Sequence, residues 1–255
     1  MSEQHHIRCS PGDVGRYVLL PGDPGRSALI AAYFDDARPV SQNREYTTYT
    51  GSLDGVPVSV TSTGIGSASA AIAVEELCAI GADTLIRVGT CGAMQNFLRN
   101  GDLVIAQASV RDEGVSRQYL PEIYPAVADL DTILALQQGA REQGARAYTG
   151  IVRSSDALYV DLAAQTIPAR HINGGDQSRM WSEARVLCSD MEASTLFVVG
   201  TIRGLRTGCI LLVVNAVGNS TISQETTSGD PLDVLIRAAV GGLRALIRAD
   251  AAQHR

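Results

Sequence analysis

The stretch from Tyr17 to Arg26 reads YVLLPGDPGR, and it is the part of the chain that best indicates the fold. Its opening apolar run, Tyr17–Leu20, is typical of a buried strand. The Pro/Gly turn that follows leads into a helical pattern over residues 27–32. A strand followed directly by a turn and a helix is the repeating unit of α/β proteins.

The same alternation continues along the chain. Strands are predicted at residues 84–88, 102–110, 147–152 and 208–214, and helices at 68–80, 130–142, 191–203 and 230 to about 248. One antiparallel hairpin interrupts the pattern, because β-prone runs at residues 46–53 and 56–63 flank Asp54-Gly55. The sequence therefore predicts a three-layer α/β/α fold with a mixed central sheet, formed by a single domain over residues 1–255.

Two stretches resist assignment to a helix or a strand, namely residues 160–185 and 216–229. Both are polar and rich in Gly, Ser and Thr. Long loops in a compact domain are often lids or binding loops. Plain surface loops are equally consistent with this composition.

Three arginines point to an anion site. Arg26 closes the PGDPGR turn, Arg44 lies in Asn43-Arg44-Glu45, and Arg87 opens the sequence RVGTCG. A phosphate dianion held without a metal needs fixed cations and close backbone N–H groups, which glycines allow because they lack a Cβ. Arginine suits this task because its planar fork binds oxyanions through two hydrogen bonds. The pattern predicts a phosphate site at the ends of the strands.

Composition excludes several other classes of protein. The net charge of −6 and the absence of a Lys/Arg run argue against a nucleic-acid or anionic-membrane surface. No apolar stretch reaches the roughly 18–20 residues that span a bilayer, and the polar N-terminus carries no signal-peptide pattern. The 5 scattered cysteines and 4 histidines lack metal-ligand spacing. We therefore expect a cytoplasmic protein with reduced thiols and no metal site.

The motifs together resemble those of the purine nucleoside/uridine phosphorylase family. They are PGDPGR (21–26), NREYTTYTG (43–51), STGIGSAS (62–69), RVGTCG (87–92), SSDALY (154–159) and DMEASTL (190–196), in the order of the family. Members split the N-glycosidic bond of a nucleoside with inorganic phosphate and release a free base and a pentose 1-phosphate. The resemblance implies no cofactor, with phosphate as the co-substrate.

The resemblance also implies roles for individual residues. Phosphate would contact Gly22, Arg26, Arg87 and Thr90, and Arg44 of a neighbouring subunit, since the family builds its sites across a dimer interface and assembles dimers into hexamers. Ribose would contact Thr90, Met191 and Glu192, with His6 reaching the 5′ position in the partner's site. The base pocket would include Gly92, Leu158, Tyr159 and Asn215. The catalytic residues would be Arg87, Glu192 and Asn215.

The base side departs from the family pattern at three places. Uridine-specific members carry a Gln-x-Arg pair where this chain has Leu162-Ala163-Ala164. Purine-cleaving members usually place an Asp where this chain has Asn215, which can donate a hydrogen bond to purine N7 but cannot deliver a proton. Leu158 replaces the aromatic residue that stacks on the base, although Trp181 or Tyr159 could compensate.

These departures favour a purine nucleoside as substrate and leave alternatives open. A uridine phosphorylase with different uracil contacts and a phosphorylase for an unusual nucleoside remain alternatives. A hydrolytic nucleosidase is disfavoured, because a water nucleophile needs no cage of three arginines. A non-catalytic nucleoside-binding descendant is the rival from a different class.

Overall fold

The computed structural model describes residues 2–159, 174–217 and 230–253. The strands are β1 Tyr17–Leu20, β2 Asp35–Asn43, β3 Tyr46–Leu53, β4 Val56–Thr61, β5 Thr84–Ala93, β6 Leu103–Asp112, β7 Ala126–Val127, β8 Ala147–Ser155, β9 Cys188–Asp190 and β10 Arg206–Asn215. The helices are α1 Pro24–Ala31, α2 Ser67–Ala79, α3 Ser116–Tyr119, α4 Leu130–Glu142, α5 Gly174–Glu183, α6 Ala193–Arg203 and α7 Asp230–Gln253. The strands and helices alternate as the sequence predicts.

The strand–turn–helix unit that opens the fold forms for local reasons. Asp23 is the N-cap of α1, and its Oδ1 accepts a hydrogen bond from the N–H of Gly25 at 2.8 Å. Pro24 occupies the first turn, where its missing N–H has no intrahelical acceptor to lose. Helix α1 therefore begins soon after β1 ends, and the turn between them lies at the end of the sheet.

The sheet is organised around β5. This strand pairs in parallel with β1 on one side and β10 on the other, and its last residues pair antiparallel with β9. Beyond β1 the sheet continues through β4, β3 and β2. Beyond β10 it continues through β6 and β8 and returns to β9, so that this half closes on itself. The resulting 10-stranded sheet mixes parallel and antiparallel pairs, as predicted.

Alternate residues of the strands face two different cores. Tyr17 and Leu19 pack into the core that contains the apolar faces of α1, α4 and α7. Val18 and Leu20 pack into the opposite core, with α2 and α6. This alternation is what a strand buried on both faces requires. The predicted α/β fold with helices on both faces of a mixed sheet is therefore confirmed.

The structure corrects the sequence-based assignments in a few places. β2 was not predicted, because its sequence DDARPVSQN is polar and largely exposed; β2 is an edge strand that pairs with β3. Helix α5 and the short strand β9 lie in and just after the stretch 160–185 that resisted assignment. Helix α6 begins at Ala193 rather than Met191, because Asp190 Oδ2 accepts a hydrogen bond from the Ala193 N–H at 3.0 Å.

Some sequence-based expectations fall outside the described residues. Leu162-Ala163-Ala164 and most of the stretch 216–229 lie there. Within the part of the chain that the structure describes, no helix has the length and apolar character needed to cross a membrane. Over the same residues, no group of His, Cys, Asp and Glu side chains is placed to hold a metal ion.

Candidate active site

A cavity of about 1060 Å³ opens at the carboxyl ends of β1, β5 and β10. This edge of an α/β sheet is where ligands usually bind, since the loops and helix N-termini that follow the strands converge there. Most residues singled out from the sequence line the cavity, namely Gly22, Arg26, Arg87, Thr90, Gly92, Leu158, Met191, Glu192 and Asn215. Residues from widely separated motifs are therefore brought to one site.

Arg87 is held rigidly in the wall of this cavity. Its Nε donates a hydrogen bond to Asp190 Oδ2 at 2.9 Å, and its Nη2 forms an ion pair with Glu192 Oε2. Burial alone would lower the pKa of the guanidinium, but the two carboxylates outweigh burial and raise the pKa above its usual value. Arg87 is therefore a fixed cation whose orientation is set by two acidic neighbours.

Arg26 lies nearby but is not neutralised in the same way. Its side chain is only 12% exposed, and its Nε lies 4.0 Å from Asp23 Oδ2, too far for a hydrogen bond. The buried Nε has no hydrogen-bond partner among the described residues. Burial lowers the pKa of Arg26, and the positive charge of Arg87 adds to this effect against the attraction of Asp23. A buried donor left unpaired beside a second cation is suited to binding an anion.

Glycines bring the backbone close to these guanidinium groups. A Cβ on Gly89 would lie 2.8 Å from both Cζ and Nη2 of Arg87, so a larger residue at this position would have to displace the guanidinium. A Cβ on Gly22 would lie 3.2 Å from the carbonyl oxygen of Gly64. The Gly64 N–H in turn donates to the Gly22 carbonyl at 2.9 Å, which ties the turn after β1 to the loop before α2. The cationic end of the cavity is therefore lined by close-packed backbone.

Glu192 and Met191 form the next part of the wall, at the start of α6. Besides its ion pair with Arg87, Glu192 accepts a hydrogen bond at Oε1 from the N–H of Gly66 at 2.6 Å. Burial raises the pKa of the Glu192 carboxyl, and Asp190 adds to the rise against the opposing effect of Arg87. Oε2 also accepts a hydrogen bond from the Met191 N–H at 3.3 Å, so Oε1 is the oxygen that keeps a further lone pair for a ligand hydroxyl.

The far end of the cavity is less charged. Asn215, the last residue of β10, pairs in the ladder with Gly92 on β5. The Oδ1 of Asn215 is buried and has no hydrogen-bond partner among the described residues. Leu158 also lines this cavity and is 40% exposed. This end offers an apolar wall and an amide oxygen that can accept a hydrogen bond.

Three residues named from the sequence do not line the cavity of this chain. His6 is held by Glu76 of α2: its Nδ1 lies 2.7 Å from Glu76 Oε1, and its backbone N–H donates to the same carboxylate. Arg44 is exposed at the turn between β2 and β3, with φ of 53°. Tyr159 is 72% exposed. His6 and Arg44 therefore do not line the cavity of their own chain, although Glu45, which follows Arg44, does.

The sequence reasoning missed a buried polar network behind Arg87. Ser154 Oγ donates to Asp190 Oδ1 at 2.6 Å and accepts a hydrogen bond from the Ser194 N–H at 2.9 Å. Ser194 Oγ then donates to Glu113 Oε1 at 3.0 Å. Asp190, Ser154 and Ser194 all lie within the quoted motifs SSDALY and DMEASTL, so the signal was present but no role had been assigned to them. This network holds the carboxylate that orients Arg87.

The arrangement divides the cavity by chemistry. One end has two guanidinium groups and close-packed backbone, the middle has a carboxylate, and the far end has an amide and an apolar wall. Such a site can hold a dianion at one end and an uncharged ring at the other, with hydroxyl groups between them. This polarity matches a phosphate–ribose–base arrangement.

Comparison with known proteins gives consistent matches over nearly the whole chain. The family model described as the phosphorylase superfamily matches residues 16–247. Uridine phosphorylase of Thermococcus kodakarensis is 51% identical over 221 residues, which are 85% of this chain and 79% of that protein. Uridine phosphorylase of Treponema pallidum is 41% identical, over 97% of this chain and 95% of the relative. Guanosine phosphorylase of Halorubrum lacusprofundi is 40% identical, over 84% of this chain and 83% of the relative.

Solved structures agree with the sequence matches. A crystal structure of uridine phosphorylase from Vibrio fischeri, complexed with 6-hydroxy-1-naphthoic acid, superposes with a TM-score of 0.86. The two chains are 34% identical, and the match covers 97% of this chain and 98% of the other. The similarity therefore extends over the fold as well as the motifs.

Proposed function

The chain belongs to the phosphorylase superfamily as a nucleoside phosphorylase, a pentosyltransferase, and we propose that its preferred substrate is uridine. The relatives that share 51% and 41% identity with it are named uridine phosphorylases. This proposal replaces the purine preference expected from the sequence, which these relatives do not support. It also treats the chain as one phosphorylase domain that works in the cytoplasm without metal or cofactor.

The observation that carries the assignment of phosphate as nucleophile is the pair of guanidinium groups at one end of the cavity. Arg87 is oriented by Asp190 and Glu192, and Arg26 keeps a buried Nε without a partner. Phosphate would supply the missing acceptor for Arg26 and bind both cations through charge-assisted hydrogen bonds. Gly22 and Thr90 complete this end of the site.

The reaction follows from this arrangement. A phosphate oxygen attacks C1′ of the ribose as the C1′–N bond breaks, and the bonding electrons leave with the base. Positive charge develops on the sugar in the transition state, so the phosphate dianion beneath C1′ stabilises it before the new C–O bond forms. Glu192 accepts hydrogen bonds from the ribose hydroxyls and adds negative charge near the sugar.

The departing base carries negative charge that must be neutralised by a proton or by hydrogen bonds. Asn215 is the polar residue on β10 that lines the base end, and its amide can donate to or accept from the ring edge. Met191 packs beside the ribose, while Gly92 and Leu158 form the walls around the base. Tyr159, which follows Leu158 in the chain, is exposed and does not line the cavity.

His6 and Arg44 are proposed to complete the site of a second subunit. His6 is held by Glu76, Arg44 is exposed, and neither lines the cavity of its own chain. The Asn43 side-chain amide donates to the His6 carbonyl at 2.7 Å, so the two segments form one surface element. We therefore propose a dimer-based oligomer, with a hexamer as its natural extension.

Guanosine is the second candidate substrate. The chain lacks the Gln-x-Arg pair of uridine-specific members at Leu162-Ala163-Ala164, and Asn215 suits an oxopurine. The relative named guanosine phosphorylase is 40% identical, close to the 41% of the second uridine phosphorylase. Sequence identity to these two relatives therefore does not decide between uridine and guanosine as substrate. A direct assay does.

The test is a chromatographic assay of purified protein with uridine, guanosine, inosine, adenosine and thymidine, each with and without phosphate. We expect phosphate-dependent release of uracil with the highest kcat/KM, and ribose 1-phosphate in equal amount. Higher kcat/KM for guanosine would select the second candidate. Release without phosphate would identify a nucleosidase, and nucleoside binding without turnover would identify a non-catalytic descendant.

Arg26→Met and Arg38→Met serve as a matched pair of variants in this assay. Arg26 lines the cavity, whereas Arg38 is an exposed arginine on the edge strand β2. Arg26→Met should raise the KM for phosphate strongly, and Arg38→Met should leave it unchanged. The same response in both variants would refute the phosphate role of Arg26.

A further inference from the structure

We propose that Asn100, in the loop between β5 and β6, is a positioning residue that holds the Asn215 amide in place against the base. The inference rests on the proposed function, because it takes Asn215 as the group that meets the departing base. Asn100 itself does not line the cavity. It acts through the backbone of β10, the strand that carries Asn215.

The end of β10 is irregular where it reaches the cavity. Residues 214–217 all line the cavity, whereas successive side chains of a regular strand point to opposite faces. In the ladder with β5, Val213 pairs with Cys91 and Asn215 pairs with Gly92, so β10 has one extra residue between these two pairs. A bulge of this kind bends the strand and redirects its side chains. The direction of the Asn215 side chain therefore depends on how this bulge is held.

Asn100 lies in a tight turn that is fixed by its own hydrogen bonds. The Asp102 N–H donates to the Arg99 carbonyl at 3.0 Å, and Gly101 has φ of 92°, which glycine adopts without steric cost. The Asp102 side chain closes the turn, because its Oδ2 accepts hydrogen bonds from the Arg99 N–H at 2.9 Å and from Arg146 Nη2 at 2.8 Å. The Asn100 side chain therefore extends from a well-held backbone.

The turn contacts β10 on both sides of the bulge. Before the bulge, the Gly101 N–H donates to the Val213 carbonyl and the Val213 N–H donates to the Asp102 carbonyl, each at 2.9 Å. After the bulge, Ala216 follows the last residue of β10, and its N–H donates to Asn100 Oδ1 at 2.8 Å. The strand is thus held by backbone contacts before the bulge and by the Asn100 side chain after it.

Asn215 lies between these two sets of contacts. Its buried Oδ1 has no hydrogen-bond partner among the described residues, so the backbone on either side decides where this oxygen points. Without the Asn100 acceptor, the Ala216 N–H loses its hydrogen bond and the chain beyond the bulge is free to move. The Asn215 amide would then be poorly placed against the base, whereas the phosphate contacts of Arg26 and Arg87 would be unchanged.

The experiment compares Asn100→Ala with Gln137→Ala, because Gln137 is also a partly exposed amide that bonds a different element, Thr149 of β8 at 2.9 Å. Both variants are assayed with the nucleoside that the substrate assay shows to be preferred. We expect Asn100→Ala to lower kcat/KM for the nucleoside about 3- to 10-fold, the value of one hydrogen bond, and to leave the KM for phosphate unchanged. Asn100→Asp keeps the acceptor oxygen and should recover most of the loss, and Gln137→Ala should match the wild type.

Two further measurements separate positioning from a general loss of structure. In an Asn215→Ala background, Asn100→Ala should change kcat/KM by less than about 2-fold, because no amide is left to position. Hydrogen exchange of the Ala216 N–H should be faster in Asn100→Ala than in the wild type, and unchanged in Gln137→Ala. If Asn100→Ala does not fold, Asn100→Ser takes its place, since the shorter side chain also removes the acceptor from the Ala216 N–H.

Three results would overturn the inference and leave the phosphorylase assignment intact. They are an equal loss of kcat/KM with and without the Asn215 amide, a KM for phosphate that rises along with the loss, and wild-type activity despite fast exchange at Ala216. A wild-type protein without phosphate-dependent turnover would instead remove the proposed function, and this inference with it.

Discussion

Arg26 and Arg87 both line the cationic end of the cavity, but their replacement should have different effects on stability. Arg87 is the buried partner of Asp190 and Glu192. Arg87→Met would leave two buried carboxylates without their cation, and breaking a buried ion pair typically costs about 3–5 kcal/mol. For a chain of this size, that loss corresponds to a decrease in melting temperature of roughly 6–20 °C.

Arg26→Met should not destabilise the protein in the absence of phosphate. The Nε of Arg26 is buried without a partner, and an unsatisfied buried donor costs about 1–3 kcal/mol. Met keeps an unbranched apolar stem and removes the unpaired donor. We therefore expect the free energy of unfolding of Arg26→Met to match that of the wild type or to exceed it by up to about 2 kcal/mol.

The assay is thermal and urea unfolding in phosphate-free buffer, repeated with phosphate at about 100 times its dissociation constant. Phosphate should stabilise the wild type by about 2.7 kcal/mol and neither variant by a comparable amount. Both variants should lose about 10²- to 10³-fold in kcat/KM for phosphate. If Arg26→Met unfolds as readily as Arg87→Met without phosphate, the interpretation of the Arg26 Nε as a buried donor without a partner is wrong.

Three further predictions concern the base, the buried network and the subunit contact. Asn215→Asp should raise adenosine turnover relative to inosine in parallel initial-rate assays, because it adds a group that can protonate purine N7; an unchanged ratio would show that residue 215 does not contact the base. Burial opposes ionisation of Glu113, but hydrogen bonds from Ser116, Ser194 and Val115 outweigh burial and lower the pKa of the carboxyl below 4.5. The free energy of unfolding of the wild type should therefore fall as the pH drops below about 4.5. Glu113→Gln should weaken this pH dependence when unfolding is measured from pH 6 to 3. Arg44→Ala co-expressed with Arg26→Met should recover activity that each variant lacks alone, because hybrid dimers would contain one intact site; no recovery would argue against a shared site.

The sequence by itself determined the local part of this structure. The run YVLLPGDPGR predicts a strand, a turn and a helix, although α1 begins at Pro24, after the Asp23 cap, three residues before the predicted start at residue 27. The helices over residues 68–80 and 130–142 were also predicted within a residue or two of their observed bounds. These features follow from residues close together in the chain, through capping groups, apolar periodicity and turn chemistry.

The sequence predicted the residue types of the candidate site but not which side chains contact one another. Arginines and glycines after strands indicated an anion site, and most of the residues named do line one cavity. The contact of Arg87 with Asp190 spans 103 residues, and no local pattern encodes which carboxylate a buried arginine will find. For the same reason, the hydrogen bonds that link Ser154, Ser194 and Glu113 behind Arg87 could not be predicted from the sequence.

Tertiary structure alone decided the edge strand β2, the closure of the sheet from β10 back to β9, and the position of α5. β2 is polar, so its strand conformation depends on pairing with β3 rather than on its own composition. Helix α5 has little apolar character that a sequence pattern could detect, and Gln95 docks it against the end of β5. Local preferences act over a few residues, whereas strand order and docking depend on which distant surfaces bury one another. For that reason the chain's own sequence indicated an anion site, and only the folded structure brought Asp190 and Glu192 against Arg87.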